Sequence, residues 1–285
     1  MLSILTINAA IQDVRLFSRS FYRPVNHVTK RLQELAQQIK ANNPDLVCLQ
    51  ELFHADFQNR LYSLLITTYP YAAGFAPTGF KLRLGNELII LSKYPVTDKK
   101  LYRFKHATLE EKLFTSKGIY IVTVDMPEIG EIQVINFHMT AGGLVQHPEQ
   151  PQMEKIRSLQ IQQLLTTVNP LKSVIMAGDL NAGPEVSIAN YEQILSAGFK
   201  DAFIEAGGSG ITWDPSNPLV ANHGEHHLPP QRIDHIFLNN AAIKILKPCK
   251  SAVVLNKPSI HIDDADPIPV SDHYGLRVDF RIDRG

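Results

Sequence analysis

The stretch Ser173-Val174-Ile175-Met176-Ala177-Gly178-Asp179-Leu180-Asn181 constrains the fold more than any other. An apolar run stops on a glycine and then presents an acid and an amide two residues apart. Val174 to Met176 have the composition of a buried strand, Gly178 relieves crowding, and Asn181-Ala182-Gly183-Pro184 reads as a turn. Strand alternation puts residues two apart on one side, so Asp179 and Asn181 can face one phosphate or one metal-bound water. A polar turn is the competing reading of this segment taken alone.

Other apolar runs end in the same way. Leu2 to Ile7 runs into Asn8, and Leu46-Val47-Cys48-Leu49-Gln50 runs into Glu51. Asn8 reads as a metal-facing group or an ordinary strand end. Glu51 reads as a carboxylate that binds a neighbouring backbone or a hard divalent cation such as Mg²⁺. Ile132 to Phe137 runs into His138, whose imidazole can bind or protonate a phosphate oxygen. Between the runs, Asn26 to Ala41, Asp56 to Thr67, Met153 to Val168 and Ser187 to Ala197 repeat apolar residues at helical spacing. Glu87 to Leu91, Ile119 to Val124, Lys244 to Leu255 and Leu276 to Ile282 add strands, the second forming a hairpin with Ile132 to Phe137.

Polar segments fall between these elements. Asp98 to Tyr120 interleaves lysines and Arg103 with Tyr102, Phe104 and Phe114. It reads as the mouth of a cleft for an anionic substrate or as edge strands charged against aggregation. His54 reads as a helix-start residue. Gly142 to Pro148 is expected to be an exposed loop near the site, and Trp213 to pack beneath a site loop. His223, His226 and His227 lack the ligand set of a zinc site. Asp234 opens a strand, and the loop Ser271-Asp272-His273 lets Asp272 orient His273, which would take a proton from water.

Length and composition describe an ordinary globular protein, expected as one domain over residues 1–285. Hydrophobic residues make up 44% and charged residues 20%. Lys+Arg and Asp+Glu are both 28, so no global field draws in nucleic acid. Cys48 and Cys249 read as buried reduced thiols. Neither a leader peptide nor a transmembrane run is visible, so a soluble protein is expected, cytoplasmic or secreted. The alternation of strands and helices fits two packed sheets with outer helices, an α/β class.

Asn8, Gln50-Glu51, His138, Gly178-Asp179-Leu180-Asn181, Thr212-Trp213-Asp214, Arg232-Ile233-Asp234-His235 and Ser271-Asp272-His273, in this order, resemble the endonuclease/exonuclease/phosphatase superfamily, also called DNase-I-like. The resemblance spans almost the whole chain. It implies a four-layered α/β sandwich, two packed mixed β-sheets flanked by helices, and Mg²⁺-dependent phosphoester hydrolysis, with Mn²⁺ as a substitute ion. By resemblance, Glu51, Asn8 and Asp272 lie at the metal. His273 activates water and is oriented by Asp234, His138 acts on the phosphate side, and Asp179 and Asn181 position phosphate and nucleophile.

Phe114-Thr115-Ser116-Lys117-Gly118, Arg157-Ser158-Leu159-Gln160, Asn217-Pro218-Leu219 and Gln231-Arg232-Ile233-Asp234-His235 are similar to the neutral sphingomyelinase-like branch. That branch implies hydrolysis of a choline phosphodiester lipid. It also implies Lys117, His138 and Asn181 as substrate-binding residues, a phospholipid headgroup as partner and peripheral membrane contact; no protein partner is evident. Asn8-Ala9-Ala10 departs from the bulky residue that usually follows the asparagine. The alternatives are a DNase or abasic-site endonuclease, an inositol-phosphate or nucleotide phosphatase, and a non-catalytic interaction module of the same fold.

Overall fold

The structure is a computed structural model that describes the chain apart from residues 12–13, 17–18, 23–25, 76–85, 115–116, 142–149, 221–227, 264–265 and 284–285, with backbone alone at 14–16, 19–22, 110 and 113–114. The glycine-rich loop at 142–148 and His223, His226 and His227 therefore lie outside the described residues.

Strand β1 (Leu2–Ile11) is buried along its whole length. It extends three residues beyond Asn8, because Ala9, Ala10 and Ile11 continue the apolar run. A hairpin of β2 (Val14–Leu16) and β3 (Arg19–Tyr22) leads to helix α1 (Val28–Asn42) and then β4 (Leu46–Leu52). Next come α2 (Ala55–Leu65), β5 (Tyr71–Ala73), β6 (Ile89–Ser92) and β7 (Val96–Arg103). The strand expected from Glu87 thus starts two residues late. A short helix α3 (Leu109–Phe114) interrupts the polar segment expected as loop and edge strand.

The second half begins with the hairpin β8 (Gly118–Met126) and β9 (Gly130–His138), joined through α4 (Pro151–Thr167) to β10 (Val174–Asp179). It continues through α5 (Ile188–Ser196), β11 (Lys200–Asp201), α6 (Ala202–Glu205) and β12 (Asp234–Leu238). Helix α7 (Ala242–Ile245), β13 (Leu246–Val254) and β14 (Gly275–Ile282) complete the chain.

Two six-stranded mixed sheets result, ordered β13-β14-β1-β4-β6-β5 and β11-β12-β10-β9-β8-β7. The pairs β1/β4 and β9/β10 are parallel, each joined through a helix, and the other pairings are antiparallel. Ile4, Cys48 and Ile90 of the first sheet pack against Val134, Ile175 and Ile236 of the second. The alternate residues Leu5, Ile7, Val47 and Leu49 meet Leu32, Leu35 and Ile39 of α1, while Val174 and Met176 meet Ile161 and Leu164 of α4. The expected four layers follow directly from this two-sided burial. Removing one of these side chains, as in Ile175→Ala, is expected to cost about 2–5 kcal/mol.

Gly178 permits close strand approach: a Cβ there would lie 2.0 Å from Phe137 O. Both cysteines are free thiols, but Cys249 is exposed on β13, against the expectation of burial, because that strand lies at the edge of its sheet. Among the described residues, no helix is long and apolar enough to cross a membrane.

Candidate active site

The C-terminal ends of the two parallel strand pairs meet at one edge of the sandwich. Asn8 of β1 donates from Nδ2 to Asp179 Oδ2 at 3.0 Å, and its Oδ1 accepts the Ala10 amide at 3.0 Å. Ala10, Glu51 and Asn181 all hold a left-handed backbone, with φ of 50°, 56° and 52°. Such a conformation is uncommon for non-glycine residues. At Glu51 it swings the side chain out of the strand's regular alternation. Asn181 Nδ2 donates to Met139 O at 3.0 Å, and its amide N–H donates to Asp179 Oδ1 at 2.8 Å. Asp179 and Asn181 are therefore neighbours through a turn, and simple strand alternation does not describe them.

Buried arginines fix the backbone around these ends. Arg31 of α1 donates to Ala9 O, Ala10 O and Val270 O at 2.8, 3.1 and 2.9 Å. The Ser271 hydroxyl lies 2.6 Å from Asn8 O. Together they bind the loop that carries Asp272 to the end of β1. Arg157 of α4 does similar work beyond β9, donating to Thr140 O and Ala141 O at 3.0 and 2.9 Å. Burial lowers both guanidinium pKa values to about 10, short of losing the charge.

His138, at the end of β9, faces three carboxylates. Its Nδ1 lies 3.0 Å from Glu87 Oε1, and its Nε2 lies 3.5 Å from Asp179 and 3.7 Å from Glu51. Burial pushes the Glu87 carboxyl up to about 8 and pulls His138 down to about 4, so both favour their neutral forms. Glu87 was not anticipated as a site residue. Its signal was an acid heading the apolar run Leu88 to Leu91, the mirror of the acids and amides that end the other runs. Lys117 approaches from the start of β8, with Nζ 3.0 Å from Met139 O and 3.4 Å from Glu111. Burial disfavours its charge, but Glu111, Glu87, Glu51 and Asp179 outweigh that and raise its pKa.

His273 Nδ1 lies 2.9 Å from Asp234 Oδ2, while Nε2 turns toward Asp179 at 4.0 Å. The neighbouring Asp272 does not orient the ring: its Oδ1 lies 3.1 Å from Ser271 Oγ. The adjacent pair diverges because the Trp213–His273 bridge fixes the loop as extended backbone. Burial lowers the His273 pKa, but Asp234, Asp179 and Asp272 together raise it well above the ordinary value. Thr212 Oγ1 accepts the amides of Ile233 and Asp234, both at 3.1 Å, and so holds the start of β12, while Trp213 is buried among Val186, Val220, Leu228 and Ile233. Behind Asp234, Asp201 accepts hydrogen bonds from Arg232 at 2.7 Å and Tyr191 at 2.8 Å. Burial there is outweighed by His235 and Arg232, which hold the Asp201 carboxyl well below the usual range.

A divalent cation can be tested against this donor set. Burial raises the Glu51 carboxyl; His138 and Lys117 oppose that, while Asp272 and Glu87 reinforce it. Partly buried carboxylates that destabilise one another in this way are what a hard cation relieves, so Glu51 and Asp272, with the Asn8 amide beside them, fit one. Asp179, Asp234 and His273 also bring ligand atoms within 4.8 Å of one another. The Asp234–His273 hydrogen bond there takes Nδ1 and Oδ2 and leaves His273 Nε2 and the buried Asp234 Oδ1 open to a ligand.

Hydrolysis of a phosphoric diester requires a base for water, hydrogen-bond donors for the phosphate and a counter-charge for the leaving oxygen. The groups for all three converge on one cleft, in keeping with the metal-dependent phosphoric diester hydrolases. The chain belongs to the endonuclease/exonuclease/phosphatase family, whose pattern matches residues 8–273 and so runs from one site residue to another. It is 24% identical over 245 residues to sphingomyelinase C of Listeria ivanovii, across 80% of this chain and 71% of that protein. Its fold is similar to that of Staphylococcus aureus beta toxin, with TM-score 0.79, 20% identity and coverage of 99% and 100% of the two chains. A mutant form of that toxin has been solved with bound magnesium ions, at TM-score 0.75, 21% identity and coverage of 97% and 98%. Sphingomyelinase C from Streptomyces griseocarneus is similar too, with TM-score 0.75, 20% identity and coverage of 97% and 98%.

Proposed function

We propose that the chain, acting as one catalytic unit over residues 1–285, hydrolyses a choline phosphodiester lipid, sphingomyelin foremost, to ceramide and phosphocholine. Mg²⁺ is the proposed ion, with Mn²⁺ as a substitute, held by Glu51 and Asp272 with Asn8 beside them. The observation that carries the mechanism is the 2.9 Å contact between His273 and Asp234. It fixes Nδ1 as the donor and leaves Nε2 directed at the space beside Asp179. With the ring in its neutral form, above its raised pKa, water in that space gives its proton to Nε2 as its oxygen attacks phosphorus, and the bond to the lipid oxygen breaks on the opposite side. The lipid alkoxide then takes a proton from solvent.

His138, anchored by Glu87, turns Nε2 toward a non-bridging phosphate oxygen. Asn181 and Asp179 position the phosphate and water, and Lys117 supplies positive charge from beside Met139. A divalent cation held by Glu51 and Asp272, with Asn8 beside them, would supply charge against the surrounding carboxylates and Lewis-acid stabilisation of the phosphoryl and leaving oxygens. The choice of a lipid headgroup is supported by the sphingomyelinase C relative and by the chain's zero formal charge, since long duplex DNA demands cationic contacts. The test is to incubate the purified chain with Mg²⁺ and sphingomyelin in detergent micelles, and to identify products by mass spectrometry. Release of phosphocholine supports the reading; inert choline lipids beside rapid cutting of plasmid DNA or inositol phosphates overturn it.

A further inference from the structure

Strand β7 is the outer edge of the second sheet, and every residue from Thr97 to Arg103 is exposed. Lysines on an edge strand commonly prevent sheet-to-sheet association, and Lys99 and Lys100 suit that purpose. That purpose leaves Leu101 and Tyr102 unexplained. Each is 39% exposed, and Leu109 on the neighbouring α3 is 72% exposed. Between Asp98 and Lys105, four cations stand against one acid, so the strip carries a formal +3 in a chain that sums to zero.

The strip ends at the catalytic rim. Arg103 pairs with Gly118, the residue after Lys117. Helix α3 is tied to the same point, because its Glu111 contacts Lys117 at 3.4 Å. Leu109 stands two residues before Glu111 on that helix, on the outside.

We infer that the β7 strip seats the protein on an anionic lipid surface, with the catalytic rim toward the bilayer. Cations interleaved with tyrosine and leucine match that occupant: ammonium and guanidinium groups meet lipid phosphates, while Tyr102 and Leu101 enter the headgroup boundary. A purely anti-aggregation edge needs the charges alone. The purpose of the seating rests on the proposed lipid substrate, but the seating itself is measurable without turnover.

Wild-type protein in EDTA is sedimented with vesicles of phosphatidylglycerol and phosphatidylcholine, and separately with phosphatidylcholine alone. Binding to the anionic vesicles is expected to be strong and to weaken with salt. Lys100→Glu with Arg103→Glu should weaken it at least roughly twentyfold, from about fivefold per cation removed. Tyr102→Ser should weaken it severalfold, and turnover of soluble bis(p-nitrophenyl) phosphate should stay within about twofold of wild type. Lys100→Gln with Arg103→Gln serves if charge reversal disturbs folding by circular dichroism. Wild type that ignores anionic vesicles, variants that bind as wild type does, loss of soluble-substrate turnover in a folded variant, or a strip that retains short duplex DNA in place of vesicles would each overturn the inference. Sphingomyelin in micelles reads the chemistry without the strip, and vesicles in EDTA read the strip without the chemistry, so the two readings fail separately.

Discussion

The unit β1-α1-β4 and the unit β9-α4-β10 are each a parallel strand pair joined through a helix, and each helix sends a buried arginine to carbonyls at or just past the end of its first strand. The strand ends they deliver differ. The first unit presents an amide and a carboxylate, Asn8 and Glu51; the second presents an imidazole and a carboxylate, His138 and Asp179. Their supports differ as well. Gln50 Nε2 reaches across the sheets to Asn136 Oδ1 at 2.7 Å, a neutral brace, whereas β12 beside the second unit rests on the charged Asp201–Arg232 pair at 2.7 Å. The same backbone device thus presents an amide and a carboxylate on one side and an imidazole and a carboxylate on the other, because only one residue near the end of each strand has to change.

The largest expected effect lies where the two units meet. His273→Ala should lower turnover by about 10³-fold or more with the circular dichroism spectrum unchanged, since it removes the proposed base. Next, Glu51→Gln should raise the Mg²⁺ concentration for half-maximal activity by roughly a hundredfold, while His138→Gln lowers kcat by about as much and leaves the Mg²⁺ requirement alone. A metal titration in which both variants behave alike would erase the division between the units.

Smaller effects concern the braces. Asp201→Asn should cost about 2 kcal/mol at pH 7, measured by urea unfolding. The sign follows from a depressed carboxyl: its stabilising contribution is present above the unfolded value of roughly 4 and is lost as pH falls through the folded value. The gap between wild type and variant should therefore begin to narrow below about pH 4 and close only below the depressed folded value. Gln50→Leu, which leaves Asn136 without that partner, should cost about 1–2 kcal/mol. No carboxyl titrates in that brace, so the loss should stay flat across the same pH range; a loss that tracks pH would contradict the contrast.

Much of this was legible in the residues. Val174 to Asp179 and Leu46 to Glu51 are apolar runs bounded by breakers, and burial on both faces requires nothing more. The helices α1, α2 and α5 announced themselves by an apolar stripe at helical spacing, while α4 buries Arg157 and Gln160 beside its apolar residues. The parts that escaped depend on tertiary contacts. The left-handed turns at Ala10 and Glu51 occur at residue types that rarely adopt them, and side-chain and amide hydrogen bonds hold Asn181 in its own. Asp272 is next to His273 in sequence yet diverges from it, while Asp234 reaches it from another strand. The resemblance carried that pairing; residue order could not. Glu87 stayed hidden because one acid before an apolar run is also an ordinary strand start, and α3 because its short apolar face lies within a charged segment.

The pairing of β1 on one side with β4 and on the other with β14 bears on how the chain is made. During synthesis, the edge of β1 destined for β14 emerges well before its partner and waits for all the chain between them, on the order of tens of seconds at ~5–20 residues per second. Through that interval an apolar strand offers an open hydrogen-bonding edge to any neighbour. When β14 finally docks, the same event brings Ser271 to Asn8 and His273 to its place beside Asp179. A nascent chain therefore gains its reactive centre only as its most aggregation-prone edge is sealed, and an unfinished one has neither.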